Sequence, residues 1–224
     1  MATARKASEA SFEPSPNLVL VDGDIGKEAT AKAVTETAIS RFGSIDHVVA
    51  NAGIFISKPF VDYTPEDFQA LVSTNIEGFL YVTQLAVKQM LSQGKGGSVR
   101  GITAHMVDSP NASIQASVAM ITKGGLTAAL LSLASEYAKQ HLRFNAVAPG
   151  VVDTPMHTNK PKDFLKTLSP MATISSPQDI EDAVVYLTEA KKRHRRSPAG
   201  RRRLSRRKVV IPHNSEILSA QSCM

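Results

Sequence analysis

From Leu18 onward, short apolar runs alternate with longer amphipathic stretches, the pattern left by strand-helix-strand units that build a parallel sheet. Residues 18–21 are predicted as a strand, 29–42 as a helix closed by Gly43, and 46–50 as a buried strand running into Asn51-Ala52-Gly53. The next helix has the clearest start: Thr64 caps it, Pro65 suits its first turn, and Glu66 and Asp67 favour its positive end. Phe68, Leu71, Val72, Phe79, Val82, Ala86 and Met90 recur near helical spacing, and Gly94, Gly96 and Gly97 end the run. A strand at 98–103, a long helix at 113–140 and a strand at 144–148 follow, the last broken by Pro149-Gly150. Residues 155–175 have no firm period and suit a loop with short helical turns. Ser176-Pro177-Gln178-Asp179 repeats the cap-and-proline start of a final helix that buries Ile180, Ala183, Val184 and Leu187.

The chain's 224 residues suffice for one α/β domain, and 42% hydrophobic with 21% charged residues is ordinary for a globular protein. No apolar run approaches the ~18 residues of a membrane span, and residues 1–17 lack the apolar core of a signal peptide. The single cysteine, Cys223, excludes an internal disulfide and a cysteine metal site, which fits a cytoplasmic setting. The net charge of +6 is unevenly placed. Residues 1–190 hold 15 Lys and Arg against 19 acids, whereas 191–224 hold 11 against 1. The division expected is therefore a flexible segment at 1–17, a folded body at 18–190 and a basic, disordered tail at 191–224.

The order of strand, Asn-Ala-Gly, capped helix with an internal Asn, strand, long helix with Lys, and strand with Pro-Gly-x-x-x-Thr resembles the short-chain dehydrogenase/reductase family over residues 18–190. The resemblance implies a Rossmann-like, doubly wound parallel sheet and hydride transfer between NAD or NADP and a small carbonyl or alcohol substrate. It implies that Asp24 and Ile25 face the adenine and that Asn51, Ala52 and Gly53 lie under the cofactor ribose. Asn75 would hold an active-site water, and Lys123 would bind the nicotinamide ribose. Pro149, Gly150 and Thr154 would hold the carboxamide. Read without the family, Asp24 caps a helix, Asn-Ala-Gly and Pro-Gly are turns, and Asn75 and Lys123 are solvated side chains.

Three departures qualify the expectation of activity. The family's tyrosine, four residues before Lys123, is Ala119, which has nothing to titrate. Near the position of the family's serine stand Ala104 and His105, and His105 is the candidate replacement proton donor. The family's opening strand, Gly-rich turn, helix and second strand are not supplied by residues 1–17, so the first strand-helix-strand unit and the pyrophosphate cradle are expected to be missing and a sheet edge bared. After Ala190 the pattern gives way to Arg-rich sequence of the kind that out-of-frame reading of GC-rich DNA yields, so the last strand is also expected to be absent unless Val209-Val210-Ile211 supplies it. An oxidoreductase subunit, a homo-oligomer paired through the two long helices, a catalytically inactive member acting by association, and a tail that binds nucleic acid are the readings left open.

Overall fold

The computed structural model describes residues 1–7, 15–157, 160–169 and 171–189, together with the strands Lys208–Val210 and Leu218–Ser219. In chain order the strands are β1 (Ala2–Ala4), β2 (Leu20–Asp22), β3 (His47–Ala50), β4 (Gly97–Ile102), β5 (Leu142–Ala148), β6 (Lys208–Val210) and β7 (Leu218–Ser219). The α-helices are α1 (Glu28–Phe42), α2 (Pro65–Val72), α3 (Gly78–Gln93), α4 (Ser117–Glu136), α5 (Lys162–Thr167) and α6 (Pro177–Glu189).

β3, β4, β5 and β6 pair in parallel in that order, and β7 adds antiparallel to β6. Alternation along the inner strands sends side chains to two helical layers, as a doubly wound sheet requires. On one face Val99, Phe144 and Ala146 meet Phe79, Ala86 and Met90 of α3 and Leu126 and Leu130 of α4. On the other, Val147 and Ile102 meet Ala183 and Leu187 of α6. The 20-residue helix α4 is long and apolar enough, by length and composition, to cross a membrane, with a mean hydropathy of 1.4 over its most apolar window. Sequence inspection did not single it out, and in the fold its apolar side packs on the sheet.

The capped start at Thr64 forms as expected: Asp67 N donates to Thr64 Oγ1 at 3.3 Å, and Thr64 N donates to the Asp67 carboxylate at 2.8 Å. Gly43 closes α1 in the left-handed region with φ 75°. The helix beginning at Pro65 is not uniform. Its ladder widens into a π-turn at Ser73–Glu77 before α3 continues, so residues 65–93 form one helical run interrupted at Asn75.

The ends of the body differ from the reading of the sequence. Residues 1–7 were expected to be flexible, yet β1 pairs in parallel with β2, Ala2 opposite Leu20. Three residues are too few to carry a strand period. These two strands make a separate sheet, and β3 has a partner on β4 alone among the described residues. His47 and Val49 are consequently exposed, Val49 to 46%, on a strand that a parallel sheet would normally bury on both faces. Within the expected tail, Lys208–Val210 pairs in parallel with β5, opposite Ala146, Val147 and Ala148. The Arg-rich run at 191–207 lies outside the described residues.

Candidate functional site

The C-terminal ends of β3, β4 and β5 bring the sequence candidates to one end of the sheet, where open α/β sheets bind their ligands. Lys123 lies on α4 and its Nζ donates at 2.8 Å to the carbonyl of Ile102, the last residue of β4. Burial lowers its ammonium from the ordinary 10.5 to about 8. A β-carbon on Gly53 would lie 3.0 Å from Lys123 Nζ and 3.1 Å from Asn75 Oδ1. Gly53, Lys123 and Asn75 therefore meet, and the absence of a side chain at Gly53 leaves the approach to the ammonium open.

Asn75 sits on the π-turn and is 2% exposed. Its Oδ1 accepts from Ile54 N at 2.9 Å, while its Nδ2 donates to the Ile54 carbonyl at 3.1 Å and to Thr122 Oγ1 at 3.0 Å. Thr122, 1% exposed, in turn donates to the Ala119 carbonyl at 2.8 Å. Thus Asn75 clamps the segment after Gly53 to the residue before Lys123. Thr122 was not recognised from the sequence, because a threonine inside an apolar helix has no distinguishing spacing.

The remaining candidates are spread around this centre. Asp24 Oδ1 accepts from Gly26 N at 3.0 Å, an Asx-type turn that makes its carboxylate a local cap. Ile25 touches Gly78, and a β-carbon on Gly26 would lie 2.3 Å from Ser73 Oγ, so this loop is seated against the π-turn and the start of α3. Asn51 and Ala52 are exposed past the end of β3. The Pro149 carbonyl accepts from His105 N at 2.9 Å, tying the loop after β5 to the loop after β4, and His105 and Gly150 are half-buried there. The Thr154 carbonyl closes a turn by accepting from His157 N at 2.9 Å. Asp153 pairs with Lys162 at 2.7 Å, and Val152 bridges to Ser175, which anchors the loop that the sequence left without period.

Ala119 is 1% exposed and sits in an apolar cluster with Leu71, Ala116 and Val118, against Met106, Ile114 and Met120. Beside this cluster opens a cleft of about 700 Å³ lined by Phe60, Val61, Met106, Val107, Ile114 and Met120 among others. The floor of the site is thus apolar where a proton-transfer group would stand.

Comparison with known proteins gives the family and the fold. The profile of a family described as enoyl-(acyl carrier protein) reductase matches residues 2–194. L-rhamnose-1-dehydrogenase of Scheffersomyces stipitis is 29% identical over 189 residues, covering 82% of this chain and 72% of that protein. Carbonyl reductase family member 4 of Xenopus laevis is 30% identical over 167 residues, covering 75% and 70%. A tropinone reductase homolog of Arabidopsis thaliana, chloroplastic, is 34% identical over 172 residues, and the chain spans 52% of its length. Among solved structures, a 3-ketoacyl-(acyl-carrier-protein) reductase of Brucella melitensis complexed with NADH superposes with a TM-score of 0.71 at 27% identity, covering 77% of this chain and 71% of that one. The NADP-bound structure of ElxO, at 22% identity and a TM-score of 0.76, shares the fold. With the Asn-Ala-Gly turn, the half-buried lysine and the clamped asparagine on one doubly wound sheet, and a family profile spanning most of its length, the chain belongs to the short-chain dehydrogenase/reductase family.

Proposed function

We propose that the chain retains the nicotinamide end of an NAD(P) site and serves hydride transfer to or from a small carbonyl or alcohol carbon, with its proton-transfer step impaired. The observation that carries this reading is the meeting of Gly53, Lys123 and Asn75. A dinucleotide's ribose hydroxyls suit such a place, since the buried ammonium is a donor and Gly53 removes the side chain that would block it. The fit is one-sided. The turn from β2 into α1 holds two glycines, but Gly23 packs against Thr30 and Gly26 against Ser73, and the first turn of α1 carries Glu28, which repels a pyrophosphate. Affinity is therefore low.

When bound, nicotinamide supplies or accepts the hydride. Lys123 orients the ribose by hydrogen bonding and places positive charge beside the reacting carbon. Asn75 holds the Ile54 backbone, and through it Gly53, in position. The apolar lining of the cleft by Met106 and Met120 favours a substrate with apolar substituents. Ala119 holds no proton. His105 at the mouth of β4 is the side chain nearest in sequence to the family's serine position and is the candidate donor. The test is deuteride transfer from C4-deuterated NADH or NADPH to small ketones and aldehydes, read by mass spectrometry. Slow transfer that disappears in Lys123→Met is expected. Ala119→Tyr should raise it by about 10²- to 10⁴-fold, the usual worth of general acid catalysis. No transfer by either the parent or the Tyr variant would refute the reading.

A second reading, an inactive subunit that acts by association, draws on a different observation. The outer face of α4 presents Ile121, Gly125, Ala128, Leu131, Ser132 and Ser135, Ile121 being 58% exposed, with the charge of Glu136 only at its last residue. A homo-oligomer through this face follows, and light scattering of the full chain tests it: Ile121→Glu should convert the assembly to monomer.

A further inference from the structure

A different cluster lies on the opposite face of the sheet, under α6, and owes nothing to the hydride-transfer reading. Alternation along β4 points Ser98, Arg100 and Ile102 toward α6, and the register sets His47 and Arg143 beside Ser98 and sets Val49 and Asn145 beside Arg100. Arg100 is 0% exposed, the largest fully buried side chain described. Its Nη2 donates to Ser98 Oγ at 2.6 Å and, at 3.4 Å, to the Leu187 carbonyl. Arg143 donates to the same Leu187 carbonyl at 2.9 Å and to the Thr188 carbonyl at 3.0 Å. Two guanidinium groups thus share one oxygen, so their nitrogens are no farther apart than those two bonds laid end to end.

The charge there is not balanced. The groups acting on Arg100 are burial, first, and then the charge of Arg143, and together they lower it to about 10, still fully protonated at neutral pH. His47, within 2.8 Å of Ser98 Oγ, is lowered by partial burial and then by Arg100, with Asp46, just before its strand, opposing. Among the described residues no carboxylate pairs with either guanidinium. The C-terminal carbonyls of α6 supply roughly half a negative charge against two positive ones. Three buried donor atoms also lack acceptors: Arg100 Nε, Arg100 Nη1 and Asn145 Nδ2, the last on the residue registered beside Arg100. An unpaired buried charge and orphaned donors are both costly, and what would satisfy them together is a negatively charged oxygen group. The cluster lies one strand from solvent, since His47 and Val49 are exposed on the strand next to Arg100 and Arg143 is half-buried.

We propose that Arg100, Arg143 and Asn145 form an oxyanion-binding site beneath α6, taking a phosphate or a carboxylate group that enters beside His47. The two guanidinia supply charge and planar donors, Asn145 supplies a neutral donor, and Ser98 holds Arg100 in place.

The experiment is thermal unfolding of the full chain in Tris chloride, titrated separately with sodium phosphate and sodium acetate against sodium chloride of equal ionic strength. Phosphate or acetate should raise Tm saturably, by about 3 °C or more at ten times half-saturation, and chloride should not. The anion that saturates at lower concentration identifies the class. Arg100→Met should abolish the saturable response and, by removing a buried unpaired charge, leave Tm in chloride equal or higher. Asn145→Ala keeps both charges and should raise half-saturation severalfold, so it decides the matter if the methionine variant does not fold. No saturable response in the parent chain, or an equal response in both variants, would overturn the proposal.

Discussion

Replacing Asn75 by alanine should show how far the site depends on the π-turn. The substitution leaves the Ile54 N–H and carbonyl without their side-chain partner and takes the amide donor from Thr122 Oγ1. Ile54 is half-buried, so water partly replaces its lost bonds, and each costs near the lower end of the 1–3 kcal/mol for a stranded buried group. Thr122 keeps its bond to the Ala119 carbonyl, so its loss is smaller. With the small cavity at a residue only 2% exposed, the total is about 2–4 kcal/mol, or roughly 5–15 °C in Tm for a body of this size. Thr122→Val, which removes one partner and keeps the volume, should cost about 0.5–1.5 kcal/mol. The double variant should fall short of the sum, because the bond between the two residues is counted in both single changes. Urea unfolding followed by circular dichroism measures all three. A cost below about 1 kcal/mol for Asn75→Ala, at unchanged m-value, would refute the clamp.

Other expectations follow from single contacts. Thr64→Ala removes one side of the capping box on α2 and should lower stability by about 1 kcal/mol in the same assay, with Thr64→Ser restoring most of it. Lys123 is lowered from 10.5 to about 8 by burial, so between those values the unfolded chain holds more protons than the folded one and stability should rise with pH. The penalty is fully present below about pH 8 and amounts to at most about 3 kcal/mol, less what solvent at the half-buried side chain screens. Lys123→Met should therefore be the more stable protein at pH 7 and should lack that rise, as pH-dependent urea midpoints would show. Asp67 is held below the usual carboxylate range, first by Lys58, whose Nζ is 2.6 Å away, and then by the Thr64 backbone, so its contribution should fade as pH falls through its folded value. In Asp67→Asn that part of the acid sensitivity should be absent.

What the sequence made legible was what local chemistry specifies. The start at Thr64-Pro65-Glu66-Asp67 and the stop at Gly43 are written in residues that act on their own neighbours, and both formed. The inner strands could be read because apolar runs bounded by Gly and Pro persist over several residues. β1 could not, since three residues carry no period and its order depends on pairing with β2, a contact distant in sequence. The π-turn was hidden for a related reason: its cause is the bonding of Asn75 to Ile54 and Thr122, which sequence spacing does not reveal. Within the site, the family pattern brought Gly53, Asn75 and Lys123 to attention, and the capping role that Asp24 offers on local grounds is met by the bond from Gly26 N to its carboxylate. Arg100 went unremarked as part of a strand, although a charge at the centre of an apolar run is itself a signal.

The central claim is that Gly53 and Lys123 keep a working nicotinamide end on this fold. It is tested most directly by titrating NADH and NADPH against the full chain and against Lys123→Met, following the change in nicotinamide fluorescence. The account predicts weak but saturable binding to the parent chain and at least about a tenfold loss in the variant, the worth of roughly 1.4 kcal/mol. Equal affinity in the two proteins, or binding to neither, would contradict it.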